Sequence, residues 1–186
     1  MDAMKLLLER ASAVKLQDPG PTPDELDTIL RSALRAPDHG RLRPWHFVVI
    51  AGDDRARFGE LLAETLKRRE PSASQEMLAR EREKALRAPV ILIVAARLKP
   101  SDKIPEVEQI VSAGAAAEHI MLAAQALGYG AMWRTGAPAY DAGVKEGLRL
   151  QPGDAIIGII YIGTPGAAGR EMPRPALGDF VSRWQG

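Results

Sequence analysis

The chain has 186 residues, 46% of them hydrophobic and 26% charged, with a formal net charge of +1. That size and balance predict one soluble globular domain with a full core, and so small a charge offers no general field for nucleic acid or an anionic membrane. With no cysteine, disulfides, thiolate metal sites, iron–sulfur clusters and a cysteine nucleophile are excluded.

Asp2 to Glu9 reads as a short helix with Met4, Leu7 and Leu8 on one face. The run carries Lys5 and ends in Glu9 and Arg10, too short and too charged for a signal peptide. No stretch approaches the ~20 apolar residues of a membrane span, so a cytoplasmic protein is the expectation. Arg10-Ala11-Ser12 follows, then a Pro/Gly-rich linker from Asp18 to Pro21. Thr22-Pro23-Asp24-Glu25 is a helix start: Thr22 caps, Pro23 suits the first helical position, and Glu25 completes a capping box. Leu26, Ile29, Leu30, Ala33 and Leu34 then recur at helical spacing.

Arg35 to His46 joins that helix to an apolar run, Phe47 to Ile50, predicted as a central strand. Pro37 and Pro44 remove two backbone donors and push the residues before them toward extended conformations. A stiff connector rich in Arg and His is either an ordinary solvated loop or a holder of polar groups. Asp53-Asp54 starts a helix to about Arg69, and Ser72 to Leu86 reads as a second, highly charged one. Pro89 to Ala96 is apolar on both faces, as in a sheet covered from both sides. Pro105 to Leu127 is the longest helical pattern, with Gly128 as its stop and only small residues from Ser112 to Ala117. Tyr129 to Arg134 reads as a strand, Ala139 to Leu148 as a helix, and Ala155 to Gly163 as a strand. From Thr164 the chain turns Pro/Gly-rich and ends in Phe180, Val181 and Trp184, an arm suited to packing on another subunit. Strands alternating with helices predict an α+β (α/β) sandwich, a sheet covered on both faces.

Familiar catalytic motifs are missing. His39, His46 and His119 have no zinc-ligand spacing, and no metal site is expected. There is no G-x-S-x-G elbow and no phosphate loop after a strand. What remains is basic and hydroxyl residues at element ends: Arg10 with Ser12, Arg35 with His39, and Trp133-Arg134-Thr135-Gly136. Guanidinium groups bind phosphate bidentately, although arginines at such places are also ordinary solvated residues.

Taken in order, Arg10-Ala11-Ser12, Arg35-Ala36-Pro37-Asp38-His39, Pro44-Trp45-His46-Phe47, Ser112-Ala113-Gly114, Gly128-Tyr129-Gly130, Trp133-Arg134-Thr135-Gly136 and Gly158 to Pro165 resemble the nitroreductase-like flavin oxidoreductases, in particular their short YdjA-type members. The resemblance covers nearly the whole chain. It implies a single nitroreductase-like domain over residues 1–186, with a central mixed sheet and residues 164–186 as an arm exchanged in a homodimer. It also implies FMN at the subunit interface, reduced by NAD(P)H and reoxidised by a nitroaromatic, quinone or similar acceptor in a ping-pong exchange. By position, Arg10, Ala11 and Ser12 would hold the FMN phosphate, Trp133, Arg134 and Thr135 would line the same cofactor, and Arg35 and His39 would come from the other subunit. No residue is then expected to be catalytic in its own right, because the cofactor carries the chemistry. In YdjA-type members the segment corresponding to Ala123–Gly128 is associated with the nicotinamide. The chain departs from the wider family at Ala11, Val14, Arg41 and Arg43, and the two arginines would favour an acidic acceptor or NADPH. The alternatives are a non-catalytic flavin-binding or regulatory protein, and a specialised member such as a dehalogenase or a flavin-consuming enzyme. Nucleic-acid binding through Arg31, Arg35, Arg41 and Arg43 is disfavoured by the net charge.

Overall fold

The computed structural model describes residues 2–166 and 173–185. Helix α1 (Ala3–Glu9) is capped by the Asp2 side chain, and β1 (Leu16–Gln17) follows. Helix α2 (Pro23–Ala33) has the expected capping box, with Thr22 and Glu25 bonding reciprocally. Then come β2 (Trp45–Ala51), α3 (Asp54–Arg69), α4 (Gln75–Glu83) and β3 (Val90–Ala96). The long α5 (Glu106–Ala126) ends at Gly128, whose φ of 91° stops it as predicted. Strand β4 (Gly130–Arg134), α6 (Ala137–Tyr140), α7 (Ala142–Gly147) and β5 (Ala155–Pro165) complete the domain.

The layers follow from residue alternation. On β3, Val90, Leu92 and Val94 meet α2 and α5, while Ile91, Ile93 and Ala95 meet Phe58 and Leu62 of α3 and Val144 of α7. Every β3 residue is buried, so the sheet is covered on both faces. Ala113, Ala116, Ala117 and Ala124 of α5 are fully buried; their small side chains let the helix backbone come close to the sheet. Replacing a fully buried Leu92 by Ala would cost roughly 2–5 kcal/mol.

Three expectations are corrected. The sheet is not mixed: every pairing among the described residues is antiparallel. The reason is topological. Strand β5 runs opposite to each of its neighbours β1, β3 and β4, and β2 runs opposite to β3, so strands of like direction are never paired among the described residues. Strands β3 and β4 run the same way, but β5 lies between them. Strand β2 is not central but lies at the sheet edge, pairing with β3 alone. The strand predicted to end at Gly163 continues to Pro165, so the first two residues of the expected arm belong to the sheet, where they pair with β1. Part of that arm, residues 167–172 and 186, lies outside the described residues.

Two helices are also redrawn. The one expected from Ser72 begins at Gln75, capped by Ser74. The one expected over Ala139–Leu148 breaks at Asp141, whose side chain accepts from Val144 N and starts a new helix. Among the described residues no helix is long and apolar enough to cross a membrane.

Candidate functional site

The segment after α1 is laid against the sheet by an absence of side chain. A Cβ on Gly130 would come within 2.7 Å of Ala13 Cβ and 2.8 Å of Leu16 Cδ2, so only glycine lets residues 13–16 cross β4 here. Ala13 N then donates to Ala131 O at 2.9 Å. Strand alternation sends Trp133 and Arg134 to opposite faces. Trp133 packs with the α5 layer, its indole over Gly158 and its Nε1–H donating to Ile157 O at 3.1 Å.

Arg134 faces the other way, into a cavity of about 470 Å³ that it shares with Ala13–Gln17, Arg87, Met132 and Tyr161. Lys15, Arg87 and Arg134 make no side-chain hydrogen bond or ion pair among the described residues, and the cavity they line has no carboxylate in its wall, although Glu81 stands near enough to act on Tyr161. Burial pushes the Tyr161 hydroxyl above the usual phenol range, against the Arg87 and Arg134 charges and with that of Glu81. Such a cavity favours an anion or an electron-rich ring edge.

Arg10 lies just upstream. Its Nε pairs with Glu118 of α5 at 3.3 Å, while its Nη1 is buried with no hydrogen-bond partner among the described residues. Arg174 donates to the Arg10 carbonyl at 2.6 Å, adding a second guanidinium there. Ala11 and Ser12 are exposed beside it, so the Ser12 hydroxyl is open to a ligand.

Arg35 and His39 belong to a different part of the chain surface. His39 Nδ1 is 2.6 Å from Glu108 Oε2 on α5, and Arg35 is exposed. Glu108 and Glu118 are ten residues apart on one helix, roughly 15 Å along its axis. Within one chain, therefore, Arg10 and His39 do not converge on a compact group. Ser112 ties the His39 loop down: its hydroxyl donates to Pro37 O at 2.6 Å and accepts from Trp45 Nε1 at 2.9 Å. Beside this loop a cavity of about 340 Å³ is walled by Pro37, His39, Val107, Val111 and Ala115. Ala123–Gly128 forms the last turn of α5 and its stop, and Thr135 is exposed after β4.

The structure thus joins Arg134 to Lys15, Arg87 and Tyr161, and Arg10 to Arg174, none of which the sequence singled out. Tyr161 is hidden in the apolar alternation of β5. Lys15 and Arg87 look like any surface cation until β4 and β5 bring their segments together.

A model of the Nitroreductase family matches residues 7–164. The chain is 39% identical over 165 residues to the "Putative NAD(P)H nitroreductase YdjA" of Escherichia coli strain K12, covering 89% of each protein. It is 36% identical over 165 residues to a "Putative NAD(P)H nitroreductase" of Haemophilus influenzae, covering 88% of this chain and 89% of that one. Among solved structures, the fold superposes on a nitroreductase-like family protein of Bacillus cereus with a TM-score of 0.86 at 22% identity, covering 100% of this chain and 97% of that one. It also matches a nitroreductase of Desulfovibrio desulfuricans solved in complex with FMN, with a TM-score of 0.76 at 24% identity and coverage of 100% and 98%.

Proposed function

The chain belongs to the Nitroreductase family, and from that premise we propose that it is an FMN-dependent oxidoreductase, fed by NAD(P)H and acting on nitroaromatic, quinone or related acceptors. The observation that carries this reading is Arg10 Nη1, buried and without a partner among the described residues, just upstream of a cavity lined by Lys15, Arg87 and Arg134, which make no side-chain hydrogen bond or ion pair among those residues. The donor set fits a phosphate and the electron-rich edge of a flavin. Relatives named as NAD(P)H nitroreductases support the electron donor, and the FMN-bound structural neighbour supports the cofactor.

Arg10 and Ser12, with the Ala11 backbone and Arg174, would hold the phosphate. Arg134 and Thr135 would line the ring side, and Trp133 would stiffen the strand that presents them. Bound FMN supplies hydride acceptance from the nicotinamide and electron delivery to the acceptor. The protein's part is to bind, orient and exclude water, and no side-chain acid–base pair is required of it.

A homodimer completes the proposal. Met4, Leu7 and Leu8 of α1, Val107 and Val111 of α5, and Leu177, Phe180 and Trp184 of the arm are all exposed in the single chain, Trp184 to 93%. Apolar surface on that scale marks an interface. Arg35 and His39, exposed on the loop beside Val107 and Val111, would then serve the cofactor of the partner subunit.

Equilibrium titration tests the cofactor. Added FMN is expected to lose its fluorescence on binding, saturably and at one per chain, and the protein is expected to stay yellow through gel filtration. A colourless protein in excess FMN contradicts the reading.

A further inference from the structure

We propose that Arg41 and Arg43 form an anion-recognition pair at the rim of the cleft, selecting a substrate that carries a carboxylate or phosphate. This rests on the flavin oxidoreductase reading above and adds what that site selects.

The backbone is the first observation. Gly40, Arg41 and Arg43 have φ values of 67°, 55° and 48°, three left-handed residues within four positions. Glycine and asparagine adopt this region readily, whereas a long side chain meets its own backbone there. Such strain persists only where the surroundings over-determine it, and here they do. Asp38 Oδ2 accepts from Arg43 N at 2.7 Å, and Lys99 Nζ donates to Leu42 O at 2.6 Å. Lys99 is itself fixed by the buried Gln109 side chain, which bonds its backbone N–H and C=O at 2.9 and 2.8 Å. The Ile104 side chain fills the space against Gly40.

The second observation is electrostatic. Arg41 and Arg43 are exposed and make no side-chain hydrogen bond or ion pair among the described residues. The nearest carboxylates on the same wall are engaged: Asp38 with the Arg43 backbone and Glu108 with His39. Two guanidinium groups are therefore presented on a braced loop, with no ion pair to neutralise them among the described residues. The third is position, since the same loop carries His39 and walls the cavity of about 340 Å³ made by Pro37, Val107 and Val111. Arg41 and Arg43 lie outside that lining, two and four residues beyond His39; an apolar slot with guanidinium groups on the adjoining loop suits a flat ring with an anionic substituent, which a guanidinium fork reads bidentately.

Two sources supply that chemistry: the acceptor's own carboxylate or phosphate, and the 2′-phosphate that distinguishes NADPH from NADH. The FMN-loaded double variant R41N/R43N separates them, because asparagine keeps the left-handed backbone while removing both charges. The readouts are kcat/KM for 4-nitrobenzoate against 4-nitrobenzamide, and for NADPH against NADH with neutral menadione as acceptor. The expected result is about a tenfold loss of preference in the first ratio for an anionic acceptor, or in the second for the donor phosphate. The affected preference of the wild type also falls as salt is raised. R149N is the matched control: Arg149 is an exposed arginine with φ 57° beyond α7, outside the site, and should leave both ratios unchanged. R41K/R43K, which keeps the charges without the fork, is expected to lose less than R41N/R43N. Both ratios unchanged in R41N/R43N, or an equal shift in R149N, would overturn the pairing. Failure of the wild type to reduce menadione instead overturns the underlying oxidoreductase reading, so the two failures are distinct.

Discussion

Arg10 sits between two demands. Glu118 holds its Nε, while Nη1 is buried without a partner among the described residues. A buried donor left unsatisfied costs about 1–3 kcal/mol, more when charged. A protein carries that cost where a ligand removes it, and a phosphate oxygen is a well-matched acceptor. Arg10→Ala is therefore expected to weaken FMN binding at least tenfold in a fluorescence titration, while the melting temperature of the FMN-free protein stays within a few degrees of wild type. Unchanged affinity would remove Arg10 from the site. At this scale the sequence marks Arg10, Ser12 and Arg134 correctly as polar groups at element ends. Lys15, Arg87 and Tyr161 escape it because their significance is a matter of who stands opposite, and strands far apart in the chain decide that.

Local rules read well wherever an element is closed by its own residues. The start of α2 is such a case. Thr22 N donates to Glu25 Oε2 at 2.9 Å and Glu25 N to Thr22 Oγ1 at 3.4 Å, all within four residues. What the sequence does not show is Tyr129, more than a hundred positions away, donating to the same carboxylate at 2.7 Å and tying α2 to the end of α5. The backbone bond from Thr22, then the hydroxyls of Tyr129 and Thr22, hold the Glu25 carboxyl below its ordinary range. A lowered folded-state value gives stability that is present above the unfolded pKa of ~4.3 and is lost as pH falls through the folded value. Glu25→Gln should thus be less stable than wild type at pH 6 in a denaturant titration, with the gap narrowing as the pH is lowered through the acid range. A gap independent of pH would show that the charge on Glu25 contributes nothing. Non-local elements behave differently. Strand β1 has only two residues and no periodicity to detect, and β2 lies at an edge because of which strands pair, not because of its own composition.

At the scale of the molecule, two buried layers account for the sandwich, and the surface that remains apolar is the ground for the proposed second copy. The helix α1 has no buried residue in the single chain, and the arm leaves Phe180 and Trp184 in the open. The unbroken apolar run of β3, buried throughout, is plain in the sequence, as is the small-residue run in α5. The sheet's antiparallel character is not, because it depends on which strands become neighbours, and those pairings join segments far apart in the chain. The central claim is electron transfer from a reduced nicotinamide, and anaerobic stopped-flow absorbance tests it most directly. Mixing the FMN-loaded protein with NADPH, and separately with NADH, should bleach the flavin band within seconds for at least one donor, and a nitroaromatic or quinone should restore it. A flavin band that persists for minutes with both donors would contradict the account and leave a flavin-binding protein without this activity.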